Sequence, residues 1–229
     1  MRHAKLFVLS LAALAAVAPL TAQRGDPTMA VTGTGKLPDG WMLRFDPSRG
    51  NAPTPPMTAV SFETMAGGFH VKSGPAAIYY NTRDMASGQY SISATFKQTR
   101  SMQHEAFGLF IGGANLQDST QSYIYFVMKP FDGTTRIARR ASSARPTDIV
   151  AENSAAPEAA INRDSPTDGS ATNTLLIHVA KDTVHFLING KLVKAVAKSA
   201  LGGSTDGQAG MRVNHNMDLH IDGYALKKG

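Results

Sequence analysis

Three features of the sequence predict an all-β fold built from two packed antiparallel sheets. The last quarter of the chain is a succession of short, β-branched-rich runs at 174–180, 183–188, 191–196, 207–213 and 219–226. Asn189-Gly190 joins two of them, and Asn-Gly between apolar strands is the strongest short hairpin signal, because the turn that fits needs φ > 0 at both central residues. Upstream, strand-like windows recur at 59–64, 68–72, 76–81, 89–97, 105–112, 122–129 and 134–140, punctuated by Gly67-Gly68, Ser87-Gly88, Gly112-Gly113 and Asp132-Gly133. Regular short strands with turn residues between them mean a sandwich or barrel, not alternating strands and helices. Outside the N-terminus no window has a helical period, although a short helical turn fits around Ser199 to Leu201.

Taken in order, the chain begins with Arg2 and Lys5, an apolar run from Leu6 to Ala18, and the small-residue exit Thr21-Ala22. This is the pattern of a cleaved signal peptide over 1–22, too short to span a bilayer. The expected product is exported, periplasmic or extracellular, and free of the membrane after cleavage. Residues 23–36 read as a flexible leader. Within it, Gly33-Thr-Gly-Lys36 lacks the spacing, the following Ser/Thr and the strand–loop–helix context of a phosphate loop. Residues 37–229 read as a single β-sandwich domain that opens with the strand at Trp41. Asn51-Ala-Pro-Thr-Pro-Pro56 cannot be a central strand, since proline has no N–H to donate. The segment 141–173 is rich in Ala, Ser, Pro, Asp and Asn, with Ile149-Val150 and Ile161 as its apolar anchors. It reads as a loop-rich insertion carrying one short edge strand near Ile149.

Bulk properties exclude several classes. The 229 residues contain no cysteine, so neither a disulfide framework nor a lipid-modified cysteine is available. Of the formal net charge of +6, two units belong to Arg2 and Lys5 in the expected signal peptide. Basic residues adjoin at Arg139-Arg140 and Lys227-Lys228, whereas nucleic-acid binding calls for a denser stripe with interleaved aromatics. The seven histidines form no His-x-x-x-His pair, and a nucleophile elbow, a zinc signature and a dinucleotide fingerprint are absent. No cofactor and no metal site are expected.

A recognisable order runs through the chain: Trp41, then Tyr79-Tyr80-Asn81, the strand Tyr90 to Phe96, and Phe107-Gly-Leu-Phe-Ile-Gly-Gly113. Ser122-Tyr-Ile-Tyr-Phe-Val-Met128 follows, then Asn189-Gly190, Gly207-x-x-Gly210-Met-Arg-Val213 and Leu219-His-Ile-Asp-Gly-Tyr224. Over residues 40–227 this order resembles the concanavalin A-like lectin/glucanase jelly roll. It is most similar to secreted bacterial domains of the laminin-G-like and 3-keto-disaccharide-hydrolase-like kind. The resemblance implies a two-sheet jelly-roll sandwich with a ligand groove on a concave sheet, sugar being the commonest ligand. A structural calcium, known in this fold, would draw on Asp46 or Asp222.

Glucanases of that fold carry a Glu-x-Asp-x-x-Glu strand, which is absent here; the glutamates are Glu63, Glu105, Glu152 and Glu158. A glycosidase needs two carboxyl groups held about 5–10 Å apart, and most aspartates here sit in turn contexts. Glu105, preceded by His104, is the best candidate for a catalytic carboxylate. Tyr123 and Tyr125 alternate with Ile124 and Phe126, so the tyrosines share one strand face, which Lys129 continues. Arg136, Ala138 and Arg140 share one face of the next strand. Side by side, these strands make an aromatic and cationic surface suited to stacking on a sugar ring and to hydrogen-bonding hydroxyls or carboxylates. The bland alternative is an amphipathic sheet with half-buried tyrosines and solvated arginines. The expected groove comprises Tyr79, Tyr80, Glu105, Tyr123, Tyr125, Lys129, Arg136 and Arg140, and the expected function is carbohydrate or glycoside binding. One alternative is a keto-glycoside hydrolase or lyase with Glu105 or His104 as base. Another is an adhesion or assembly module docking a protein through 141–173. Asn214, Asn216, Asp218, His220 and Asp222 recur at period two and read as a solvated face, since neighbours about 7 Å apart cannot share one ion without a second strand. His178 and His185, flanking a hairpin, are expected in structural roles.

Overall fold

The computed structural model describes residues 31–48, 52–101, 105–142, 145–150 and 159–229. Segment 1–22, expected to be a signal peptide, and His104 lie outside these residues. The early strands are β1 (Trp41–Phe45), β2 (Val60–Met65), β3 (Gly68–Ser73), β4 (Ala77–Asn81) and β5 (Met85–Ala86). They are followed by β6 (Tyr90–Ser101), β7 (Phe107–Ala114), β8 (Ser122–Lys129), β9 (Thr134–Ala141) and β10 (Thr147–Val150). The last quarter supplies β11 (Ala171–Val179), β12 (Thr183–Ile188), β13 (Lys191–Ala197), β14 (Gly207–Val213) and β15 (Met217–Lys228). Two single 3-10 turns, Met57–Ala59 and Lys198–Ala200, complete the described secondary structure, the second at the place left open for one.

The first sheet runs β1-β4-β14-β7-β8-β9-β10, with β5 paired to β14; the second runs β13-β12-β11-β6-β15-β3-β2. All the pairings are antiparallel. This is the two-sheet jelly-roll sandwich that the sequence predicts. Period two decides which residues meet between the sheets: Phe107, Leu109 and Ile111 of β7 and Ile124, Phe126 and Met128 of β8 turn inward. Each such side chain contributes roughly 1.5–3 kcal/mol on burial. Trp41 seals one end, edge-on to Phe62 at 5.0 Å and Phe69 at 4.8 Å.

One expected groove residue belongs instead to this core. Tyr79 is fully buried between the sheets, its ring 5.1 Å from that of Phe62. Consecutive strand residues point to opposite faces, so Tyr79 and Tyr80 cannot line the same groove, and only Tyr80 reaches the outer face.

The Asn189-Gly190 turn has φ of 50° and 77°, the two positive values that its hairpin type requires. Asn189 also anchors the end of the insertion. Its Oδ1 accepts from Thr174 N at 2.9 Å, and its Nδ2 donates to Ala160 O at 2.9 Å and to Asn173 Oδ1 at 2.8 Å. Within the insertion, β10 pairs with β9 at the edge of the first sheet. No helix among the described residues is long and apolar enough to cross a membrane.

Candidate functional site

The outer face of the first sheet carries the chemistry. One row crosses it in register: Arg44, Ile78, Arg212, Gly108, Val127 and Arg136, on β1, β4, β14, β7, β8 and β9. Gly108 stands between Arg212 and Val127. A Cβ there would lie 2.0 Å from Phe126 O, so the strands approach only because the position is glycine. Gly210 acts alike for Phe110, whose ring would be 2.6 Å from an added Cβ. Over this gap the Arg212 guanidinium lies 4.7 Å from the centre of the Tyr125 ring.

Arg212 is the hub of a buried ion network. Its Nη1 and Nη2 donate to Asp46 Oδ1 and Oδ2 at 2.9 and 2.8 Å, a two-pronged pairing. Arg140 Nη2 donates to Asp46 Oδ2 at 3.0 Å and Arg140 Nε to Tyr123 Oη at 3.1 Å, while Arg212 Nη1 lies 3.2 Å from the same hydroxyl. Both arginines are almost wholly buried. Burial pushes the Asp46 carboxyl up, but the charge and hydrogen bonds of Arg212 and the charge of Arg140 outweigh it and hold the carboxyl at about 2. Burial likewise works against charge on Arg212, and Asp46 overcomes it, so Arg212 stays cationic.

A loop closes the other side of this face. Leu116 packs into a small outer core with Ile78, Tyr80, Phe110, Tyr123 and Tyr125. Gln117 Nε2 donates to Tyr80 Oη at 2.9 Å and to Leu43 O at 3.0 Å, and Arg44 Nη1 donates to Gln117 O at 2.8 Å.

Between network and strand edge lies a cleft of about 370 Å³, lined by Glu105, Tyr125, Lys129, Thr134, Arg136, Arg212 and Asn214. Glu105 Oε2 accepts from Asn214 Nδ2 at 3.2 Å, and His215 Nδ1 lies 3.7 Å from Oε1. Burial raises the Glu105 pKa, but the neighbouring His215, the hydrogen bond from Asn214 and the charge of Lys129 bring it below the usual glutamate value. Arg136 Nε donates to Asp148 Oδ1 at 2.6 Å, and Lys129 Nζ to Asp132 Oδ2 at 3.1 Å. Two buried polar atoms of the lining, Arg212 Nε and Asn214 Oδ1, have no hydrogen-bond partner. A second, shallower cleft of about 380 Å³ lies by Tyr80, Asn115, Gln117, Asp118 and Gln208.

Of the expected groove residues, Tyr80, Tyr123, Tyr125, Lys129, Arg136 and Arg140 share the outer face of the first sheet, and Glu105 joins Tyr125, Lys129 and Arg136 in the cleft. Three points need correction. Tyr79 is in the inter-sheet core. Tyr123 and Tyr125 are only 1% and 2% exposed, covered by arginines and by the loop bearing Leu116, so their rings are not open stacking platforms. Arg140 is spent on Asp46 and Tyr123. The sequence reading missed Arg212 and Asn214. Arg212 was signalled by a charge inside the apolar run Met211-Arg-Val213, pointing away from the core. Asp46, considered for calcium, is instead the counter-ion of two arginines.

Of the period-two run, Asp218, His220 and Asp222 lie on β15 of the second sheet, whereas Asn214 belongs to the cleft and is not part of a solvated face. His70 and His220 face each other across β3 and β15 with ring centres 4.6 Å apart, and His70 Nε2 is 2.8 Å from Asp218 Oδ1. Asp222 pairs with Lys97 at 2.5 Å. His178 and His185 are register partners with stacked rings. Among the described residues no group of three or more His, Cys, Asp or Glu is placed to hold a metal ion.

No family model matches the chain, and no curated protein matches it. Among solved structures it is similar to a carbohydrate binding module, CBM66, from Bacillus subtilis, with a TM-score of 0.55 and 10% identity over 82% of this chain and 95% of that one. It is also similar to a Bacillus subtilis protein of unknown function with a galectin-like fold, with a TM-score of 0.53 and 10% identity over 82% of this chain and 88% of that one. At such identities the likeness is one of fold.

Proposed function

We propose that the protein binds carbohydrate in the cleft between Glu105, Tyr125, Arg136 and Arg212, as an exported domain. The observation that carries the reading is the pair of unsatisfied atoms in the cleft lining, the Arg212 Nε donor and the Asn214 Oδ1 acceptor. A sugar hydroxyl both accepts and donates, so it is chemically matched to either kind of group. Glu105 offers further acceptor capacity beside them, on an apolar floor of Ala106, Tyr125 and Val127. The jelly-roll frame shared with a protein named for carbohydrate binding supports the reading. Export rests on Arg2, Lys5 and the apolar run 6–18.

Hydrolysis has less support, because among the described residues Glu105 is the only carboxylate on the cleft lining. Titration calorimetry against a panel of oligosaccharides tests the proposal. Binding is expected at millimolar concentrations or tighter, and Asn214→Ala or Glu105→Gln should weaken it about tenfold, the worth of one good buried hydrogen bond. No heat from any sugar, or full affinity in both variants, would reject it.

A further inference from the structure

We infer that the cleft selects an acidic sugar, a ring bearing a carboxylate of the uronic-acid kind, with Arg136 as the residue that reads the charge. This deepens the carbohydrate reading and rests on it. Among the described residues the lining carries three cationic side chains, Lys129, Arg136 and Arg212, and one carboxylate, Glu105. Their own counter-ions, Asp132, Asp148 and Asp46, are not part of the lining.

Arg136 is bonded in a way that leaves its fork free. Asp148 takes only Nε, and Nη1 and Nη2 have no hydrogen-bond partner among the described residues. The guanidinium is also near Tyr125, 5.9 Å from the ring centre. A side chain held at Nε and against a ring is preorganised to give two parallel N–H bonds to a planar carboxylate. Arg212 Nε adds another unmatched donor to the lining. Arg136 Nη1 and Nη2 and Arg212 Nε are thus donor atoms unmatched among the described residues, an arrangement that a sugar bearing an anion answers better than hydroxyls alone. Lys129, on the strand next to Arg136 and close enough to lower the Glu105 pKa, extends the positive side toward Glu105. Glu105 then faces away from the carboxylate and accepts from ring hydroxyls.

The test compares uronate oligosaccharides (galacturonate, glucuronate and mannuronate series) with their methyl esters and with neutral oligosaccharides of equal length, by calorimetry on the full chain. The free acids should bind at least tenfold more tightly than the esters. That margin should shrink as salt rises from ~0.02 to ~0.5 M, since the pairing is partly exposed. Arg136→Gln should remove about tenfold of acid affinity and flatten the salt dependence, with Arg136→Lys falling between. Lys72→Gln, on the opposite sheet, should change nothing, and circular dichroism should report folded protein throughout. Equal affinity for acids, esters and neutral sugars would overturn the acidic selectivity and leave carbohydrate binding standing. An acid preference untouched by Arg136→Gln would also overturn it, by placing the anion elsewhere. Silence from the whole panel would sink both readings.

Discussion

Asp46 on one outer face of the sandwich and Asp218 and Asp222 on the other engage similar partners under opposite conditions. Asp46 is clasped by two arginines whose side chains are 7% and 6% exposed. Asp218 meets His70 and Lys72, and Asp222 meets Lys97, with the lysines about half exposed. On the second sheet water screens these pairs, and each is worth roughly 0–1 kcal/mol. On the first sheet the charges have left water, so each depends on the others, and losing one partner strands the rest. The difference teaches where specificity can be built: a screened pair decorates a face, whereas an enclosed network fixes side chains in one arrangement beside a cleft.

The comparison can be broken first at Asp46. Asp46→Asn keeps the shape but removes the charge that balances Arg212, and should cost about 3–5 kcal/mol in urea unfolding. A loss below ~1 kcal/mol would make the two faces equivalent. Acid should act next. Folding holds Asp46 at about 2 against an ordinary 3.8, so its contribution is fully present above the unfolded value and disappears as pH falls from 3.8 toward 2. The loss should be about 2 kcal/mol, seen as an acid limb in a stability–pH curve that Asp46→Asn flattens. Gln117→Ala, which uncouples the loop from Tyr80 and Leu43, should cost about 1–2 kcal/mol. The smallest effect belongs to the second sheet. Lys97→Ala should shift stability by less than ~1 kcal/mol, and a larger shift would show that this face too is energetically coupled.

Much of this architecture could be read from the chain, because strands announce themselves by period. The window 122–129 is β8 itself, with Tyr123 and Tyr125 outward and Ile124 and Phe126 inward as alternation requires. The placing of Arg136 and Arg140 beside them followed from the same rule. Tyr79 was misplaced by treating Tyr79-Tyr80 as a unit when the rule separates them. Other features had no local signature. Asp46 and Arg212 are 166 positions apart, and only the strand order brings them together. Nor does periodicity say where a loop travels, so the covering of the tyrosines by Leu116 and Gln117 needed the three-dimensional structure. Asn189 was read as a turn former, and its second duty toward Ala160 and Asn173 was hidden for the same reason.

The placement of β14 bears on how the molecule comes into being. This late strand threads between β4 and β7, both made well before it, and delivers Arg212 to Asp46. Until Gly207–Val213 has been synthesised, two interior strands lack their shared neighbour and present unpaired backbone edges open to aggregation. Contacts of such long sequence separation also form slowly. A nascent chain halted ahead of Gly207 carries most of the cleft lining but lacks Arg212 and Asn214, so the cleft is complete only once the closing strands have been made.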